Sequence, residues 1–287
     1  MRFAANKAVL TDAGARHLVN QDTVLLKAAV SKRYGQIFFA VVCDGLGGLS
    51  RGELASAFLA RRMEDWFEHD LVRQLKHAAD LKEDVRFCLR RVRLMWEDLF
   101  AGTNDELARM GGSRGIRMGT TVVAFLMIGS QYLVAHVGDS RLYLADESRL
   151  LCLTRDHSLI RRQLDAGILT PSEAAASDRK SVLLQCIGAS CRVHPDFTDG
   201  TLCRNTSVLL CSDGFWRRQR DGELYEAIRC DRAGNEEEMR HTLERMTDYA
   251  RKRGEHDNIS VIWLWFAAEA PEETVPVPCA ARLAVQC

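Results

Sequence analysis

At 287 residues, with 47% hydrophobic and 27% charged residues, the chain can bury a sizeable core and is too apolar to be disordered. Its 39 Lys and Arg balance its 39 Asp and Glu, so no global field recruits nucleic acid or an anionic membrane, and specificity must come from a local site. Ten cysteines lie scattered without C-x-x-C pairs, no run approaches the ~20 apolar residues of a membrane span, and the N-terminus has no signal-peptide core; the expectation is a cytoplasmic protein with reduced, mostly core cysteines.

In chain order, NQD places Asp22 just ahead of an apolar TVLL. Residues 36–43 (QIFFAVVC) predict a strand buried on both faces, ending on Asp44 and the glycines of DGLGG. Helices are predicted over 52–68, with Leu54, Phe58, Leu59, Met63, Trp66 and Phe67 near one face, and over 72–100, where Leu75, Leu81, Val85, Leu89, Val92, Met95 and Leu99 recur at helical spacing. The stretch 101–118 reads as a Gly-rich loop. Strands follow at 119–128, 131–137, 141–145 and 207–212, then a short helix at 221–230, a helix at 235–253 and a last strand at 258–266. The 235–253 helix is punctuated at both ends: Asn235 and Glu238 form a capping pattern, Met239, Leu243, Met246 and Ala250 make one stripe, and Gly254 follows a basic last turn.

Helices in blocks between antiparallel-looking strands, without strict alternation, predict an α+β sheet sandwich covered by helices. Three of the five prolines fall in 271–278, so 1–268 is expected to form one domain and 269–287 a flexible C-terminal tail.

The carboxylates recur at strand ends: Asp44 in VVCDG, Asp139 in AHVGDSR, Asp213 in LLCSDG, and Asp257 opening the last strand in DNISVIWLWF, with Asp22 ahead of TVLL. Brought together at one edge of a sandwich, they would repel one another and demand cations. Oxygen-only donors favour hard ions, Mg²⁺ or Mn²⁺. A pair of such ions can activate water and hold a phosphoryl group for in-line attack.

NQD, VVCDGLGG, GTTVVA, VAHVGDSRLYL, LLCSDGFW and DNISVIWL stand in the order and approximate spacing of the metal-dependent type 2C serine/threonine protein phosphatases, bacterial branch, which the chain resembles over about residues 8–266. That resemblance implies a four-layer α-β-β-α sandwich of two antiparallel sheets flanked by helix pairs. It implies hydrolysis of phosphoserine and phosphothreonine in proteins by a metal-bridging water, opposing a cognate serine/threonine kinase, in a monomer that neither binds nucleic acid nor enters a membrane.

It also implies roles. Asp44 would bridge two metals, Gly45 would offer its backbone carbonyl, Asp213 and Asp257 would hold one metal, Asp139 with Asp213 would form a weaker third site, and Asp22 would hydrogen-bond waters on the metals. Gly47 and Gly48 would turn the chain away from them. Where many relatives carry a phosphate-gripping arginine five residues before the NQD aspartate, this chain has His17, with Arg16 beside it; one of these is expected at the substrate phosphate. Leu46 stands where some eukaryotic members have a histidine, so a metal-bound water or His17 would protonate the leaving group. The segment 155–187 occupies the place of the family's flap, and its Arg161, Arg162, Arg179 and Lys180 are candidates for reading acidic phosphopeptides.

Other classes are less well supported. No Cys-x5-Arg loop accompanies Cys43 or Cys211, and no P-loop or Rossmann glycine frame is present. The remaining alternatives are a phosphoprotein-binding pseudophosphatase, which loss of a metal aspartate would mark, and a phosphatase of small phosphorylated metabolites.

Overall fold

Continuous apolar runs become inner strands and mixed ones become edges. In a computed structural model that describes residues 3–14, 19–46, 51–113, 115–177, 179, 182–229 and 234–268, β4 (Val122–Ile128) and β9 (Thr206–Cys211) are buried along their whole length, whereas β2 (Thr23–Ser31) is half open to solvent. One five-stranded antiparallel sheet runs β2, β3 (Gly35–Cys43), β4, β5 (Gln131–Val137), β8 (Asp196–Thr201). The other runs β1 (Phe3–Asp12), β10 (Ile259–Ala268), β9, β6 (Arg141–Ala145), β7 (Leu150–Cys152).

The sheets face each other across Phe3, Phe125, Leu210, Ile262 and Phe266. Outside β2–β8 pack α1 (Gly52–Asp65), α2 (Val72–Asp80) and α3 (Val85–Gly112), burying Phe39, Trp66, Trp96 and Phe100. Outside the second sheet pack α7 (Asp221–Ile228) and α8 (Glu236–Lys252) over Trp263, Phe215 and Leu243. Each of these large side chains contributes roughly 1.5–3 kcal/mol by leaving water. The layers are those expected: helices, sheet, sheet, helices. Among the described residues no helix is long and apolar enough to cross a membrane.

Several local expectations need correction. The predicted loop 101–118 is helical as far as Gly112, because Thr103, Asn104 and Leu107 are buried and tertiary packing outweighs the low helix propensity of its glycines. The predicted break between 68 and 72 is a continuous helix that widens to π geometry over Trp66–Leu71, where Trp66, Phe67 and Leu71 are all buried. The real break falls at 81–84, between α2 and α3, with Lys82 at φ 56° and Asp84 capping α3 through the Arg86 N–H. Leu54 and Leu81, assigned to apolar faces, are exposed.

Strands β1, β2, β7 and β8 were not anticipated. Of the cysteines, Cys43, Cys88, Cys186 and Cys211 are buried as expected, but Cys152, Cys191 and Cys203 are exposed. The α8 reading holds in full: Asn235 and Glu238 form a reciprocal capping box, the four stripe residues are buried, and Gly254 takes φ 84° after the last turn.

Candidate active site

Antiparallel register brings the motif ends to one edge of the sandwich. Thr23 pairs with Cys43, which sets Asp22 beside Asp44; Cys211 pairs with both Val261 and Arg141, which gathers the chain around Asp213, Asp257 and Asp139. Asp44, Gly45, Asp139, Asp213 and Asp257 line one cavity of about 850 Å³. Asp22 does not line it; it is buried nearby.

Main-chain and hydroxyl contacts hold each carboxylate-bearing turn. The Asp44 carbonyl accepts from the Thr121 N–H at 2.8 Å and the Thr120 hydroxyl at 3.0 Å, and the Asp44 N–H donates to Thr121 Oγ1 at 3.2 Å. Thr121 in turn shares a 2.7 Å hydrogen bond with Ser140, next to Asp139. Asn258 joins two motifs, accepting the Gln21 N–H at 2.8 Å and donating to the Ala13 carbonyl at 2.7 Å. The buried Glu255 carboxylate accepts the N–H groups of His256 and Asp257, at 2.9 and 3.2 Å.

Two glycines are demanded by space. A Cβ on Gly45 would collide with the carbonyls of Gly52 and Gln21, and one on Gly214 would collide with that of Asn258. Both obstacles are backbone, which cannot swing aside.

The electrostatics are costly without a cation. Burial, then the repulsion of Asp22, Asp139 and Asp257, pushes the Asp44 carboxyl well above the ordinary range, against the opposing Arg217. Burial raises Asp22 to about 7 and Asp139 to about 6, the latter helped by Asp156. Both Asp22 oxygens and Asp213 Oδ1 are buried without a hydrogen-bond partner among the described residues. The Ser260 and Ser212 hydroxyls lie near enough to Asp22 to pull its pKa down, but not in bonding geometry. Buried carboxylate oxygens left in this state fit a divalent cation, and an all-oxygen donor set fits a hard one.

The sequence reading missed the cations. Arg217 forms an ion pair with Asp213 from one helical turn on, a D-x-x-x-R spacing visible in DGFWR. Arg117 and Arg192 line the same cavity, and neither has an ion-pair partner among the described residues. Arg16, His17, Gly47, Gly48 and Lys180 lie outside the described residues.

A second cluster, His136, His157 and Asp196, places its nitrogens and carboxylate oxygen within 4.8 Å of one another. Its hydrogen bonds make it a brace. Gln185 is oriented by His194, accepting its N–H at 2.9 Å and donating to its carbonyl at 3.0 Å. His157 Nδ1 therefore accepts from Gln185 Nε2 at 2.7 Å and from the Gly138 N–H at 3.2 Å. The His157 proton sits on Nε2 and faces Asp196 at 3.2 Å, which takes that nitrogen out of use as a ligand.

The family model described as protein phosphatase 2C matches residues 12–260. The chain belongs to the protein phosphatase 2C family. It is 30% identical over 222 residues to the serine/threonine phosphatase stp of Listeria monocytogenes, covering 77% of this chain and 82% of that one. The structure of the S. agalactiae serine/threonine phosphatase superposes with a TM-score of 0.73 at 27% identity, over 91% of this chain and 99% of the other. The catalytic domain of the phosphatase PstP, solved in complex with two manganese ions, superposes with a TM-score of 0.66 at 25% identity, over 93% of this chain and 100% of the other. Membership makes the present chain a protein serine/threonine phosphatase, and the cavity lined by its motif carboxylates is its candidate active site.

Proposed function

We propose that this phosphatase hydrolyses phosphoserine and phosphothreonine in proteins with a pair of Mn²⁺ or Mg²⁺ ions, opposing a serine/threonine kinase. The observation that carries the reading is the convergence of Asp44, Asp139, Asp213 and Asp257 on one cavity at a sandwich edge, with Asp213 Oδ1 and both oxygens of the neighbouring Asp22 buried and without a hydrogen-bond partner among the described residues. Asp44 would bridge the two ions, the Gly45 carbonyl would complete one of them, Asp213 and Asp257 would hold one metal of the pair, and Asp139 with Asp213 would take a weaker third. Bound there, the ions would supply an activated water for in-line attack and offset the phosphoryl charge.

The chain's own residues do the rest. Thr120 and Thr121 fix the Asp44 backbone, Asn258 ties the Asp257 turn to the Gln21–Asp22 segment, and Asp22 would hydrogen-bond waters held by the ions. Arg117, without a carboxylate partner among the described residues, would draw the substrate phosphate to the cavity mouth, with His17 or Arg16 completing the grip. Residues 1–268 would form the catalytic domain, with 269–287 outside it. We place it in the cytoplasm as a monomer; the cysteines free of disulfides among the described residues support the compartment.

The test is hydrolysis of a phosphothreonine peptide by protein stripped of metal and then reloaded. Turnover should require Mn²⁺ or Mg²⁺ and fall by orders of magnitude in Asp213→Asn. Undiminished turnover by metal-free Asp213→Asn would overturn the reading.

A further inference from the structure

Next to the candidate active site, and sharing Leu184, Gln185 and Arg192 with it, lies a second cavity of about 400 Å³. It is framed by α4 (Leu159–Asp165) and the start of β8. Its wall holds four arginines and three aspartates, and every one of the aspartates is already engaged. Asp156 is held by Arg141 through two hydrogen bonds of 2.8 and 2.7 Å. Asp165 accepts from both Arg155 and Arg161, at 2.9 and 3.1 Å. Asp196 is hydrogen-bonded to His157. Arg162 and Arg192 remain, and neither has a carboxylate partner among the described residues.

Arg162 and Arg192 are therefore the guanidinium groups of this wall left without a carboxylate among the described residues, and the wall as a whole, with Arg141 on Asp156 and two arginines sharing Asp165, carries an excess of positive charge. Arg162 is carried by a helix capped by the Ser158 side chain, so its backbone is fixed. Arg192 stands on the wall common to both cavities. Leu184, also shared, is 42% exposed, an apolar surface lying between the two cavities.

We propose that this second cavity binds an acidic group, carboxylate or phosphate, on the same polypeptide that carries the scissile phosphate. The substrate would span the two cavities, crossing Leu184, with its second anion between Arg162 and Arg192. Guanidinium forks match both kinds of oxyanion, and the Asp156 and Asp165 carboxylates, ion-paired already, repel the incoming group little; Asp196, hydrogen-bonded to a neutral imidazole, keeps its charge but is outnumbered by the guanidinium groups. This inference rests on the phosphatase reading above and adds a substrate class to it: phosphopeptides with acidic flanks.

The experiment measures kcat/KM with Mn²⁺ for phosphothreonine peptides of equal length and otherwise neutral composition. One arm places two Glu on the N-terminal or C-terminal side, a second replaces them with a non-hydrolysable phosphonate mimic of phosphoserine, a third with Ala and a fourth with Lys. The acidic peptides should be favoured over the Ala peptide by about tenfold, mainly through KM, and less so as salt rises. Preference for both acidic arms identifies a carboxylate as sufficient; preference for the phosphonate alone identifies phosphate as the occupant.

Arg162→Glu should reverse the order in favour of the Lys peptide, and the milder Arg162→Gln should level it; Arg162 is exposed on its helix, and thermal melting checks that each variant folds. Equal kcat/KM on all four peptides, or an acidic preference that survives Arg162→Glu, overturns the inference. Turnover of p-nitrophenyl phosphate without any peptide preference overturns this inference alone, whereas no turnover of any phosphate ester overturns the phosphatase reading beneath it.

Discussion

Trp216 donates its indole N–H to the backbone carbonyl of Asp139 at 3.0 Å. The same ring carries the Arg141 guanidinium 3.3 Å from its centroid. The short helix α6 (Asp213–Trp216) that presents Asp213 is thereby pinned to the turn that presents Asp139, so two carboxylates from different strands keep one spacing. Trp216→Phe retains an aromatic face for Arg141 and removes only the N–H donor. Loss of one such hydrogen bond costs about 1 kcal/mol. The Mn²⁺ concentration giving half-maximal activity should rise several-fold, with the melting temperature of the metal-free protein lowered by only a few degrees. An unchanged metal dependence would mean that the indole bond does not position the two carboxylates.

The raised carboxyl pKa values give a signed pH dependence. Asp139 and Asp22, raised to about 6 and about 7, bind more protons in the folded metal-free protein than in the unfolded chain, where carboxyls titrate near 3.8. Folding stability must then fall as pH rises from about 4 through about 7. Glu223, lowered to about 2 by Arg253, contributes stability that is lost only as pH falls below the unfolded carboxyl range, outside that window. His136, which burial keeps neutral, loses stability as pH falls below its ordinary value, but it does so with or without metal. The gap in melting temperature between Mn²⁺-loaded and chelator-treated protein should therefore widen from pH 5 to pH 8. A gap that stays constant or narrows would contradict the electrostatic account of the site.

Two glycines make a matched pair for stability. Gly214→Ala drives a methyl into the Asn258 carbonyl, and because backbone meets backbone the strain has to move the Asp213 turn or the Asp257 turn. A loss of roughly 1–3 kcal/mol is expected, together with most of the activity. Gly102, inside α3 and exposed, has nothing within 4 Å of its Cβ position, so Gly102→Ala should stabilise by roughly 0.5–1 kcal/mol. Urea unfolding of the two variants should displace the midpoint in opposite directions; displacement in the same direction would refute the contact argument.

What the sequence disclosed follows from how local each signal is. The ends of β3 and β9 and the start of β10 were legible because a continuous apolar run stops at Asp44 or just before Asp213, or begins just after Asp257, and α8 was legible because its cap, stripe and stop lie in or next to its own residues. Strand β1 was not, since FAANKAVLTD has alanines, Asn and Lys where a strand former is expected. It becomes a strand by pairing with β10 along ten residues, from Phe3 with Ala268 to Asp12 with Ile259. The extension of α3 was hidden for a similar reason: Asn104, polar and near a glycine, is buried because it accepts the Gly188 N–H at 2.9 Å and donates to the Ser190 carbonyl at 3.1 Å. The candidate ligands were legible as residues, but the cations among them were not, because Arg117 and Arg192 enter the cavity from segments that carry no motif.

Asp22 offers the sharpest opposition between stability and function. Its two oxygens are buried without hydrogen-bond partners among the described residues, its pKa is raised to about 7 chiefly by burial, and its charge adds to the repulsion that raises Asp44. Asp22→Asn keeps the size and removes that charge. In metal-free protein the substitution relieves repulsion at neutral pH, so the melting temperature above pH 7 should rise and its fall with pH should become shallower. With the charge gone the site attracts cations less strongly, so half-maximal Mn²⁺ should increase and activity at limiting metal should drop. The stabilisation should vanish near pH 4, where Asp22 is already protonated in the native fold. A variant that loses stability at pH 8 without metal would show that the Asp22 charge is compensated by groups other than a bound ion, and would remove the unpartnered oxygens from the argument for a metal centre.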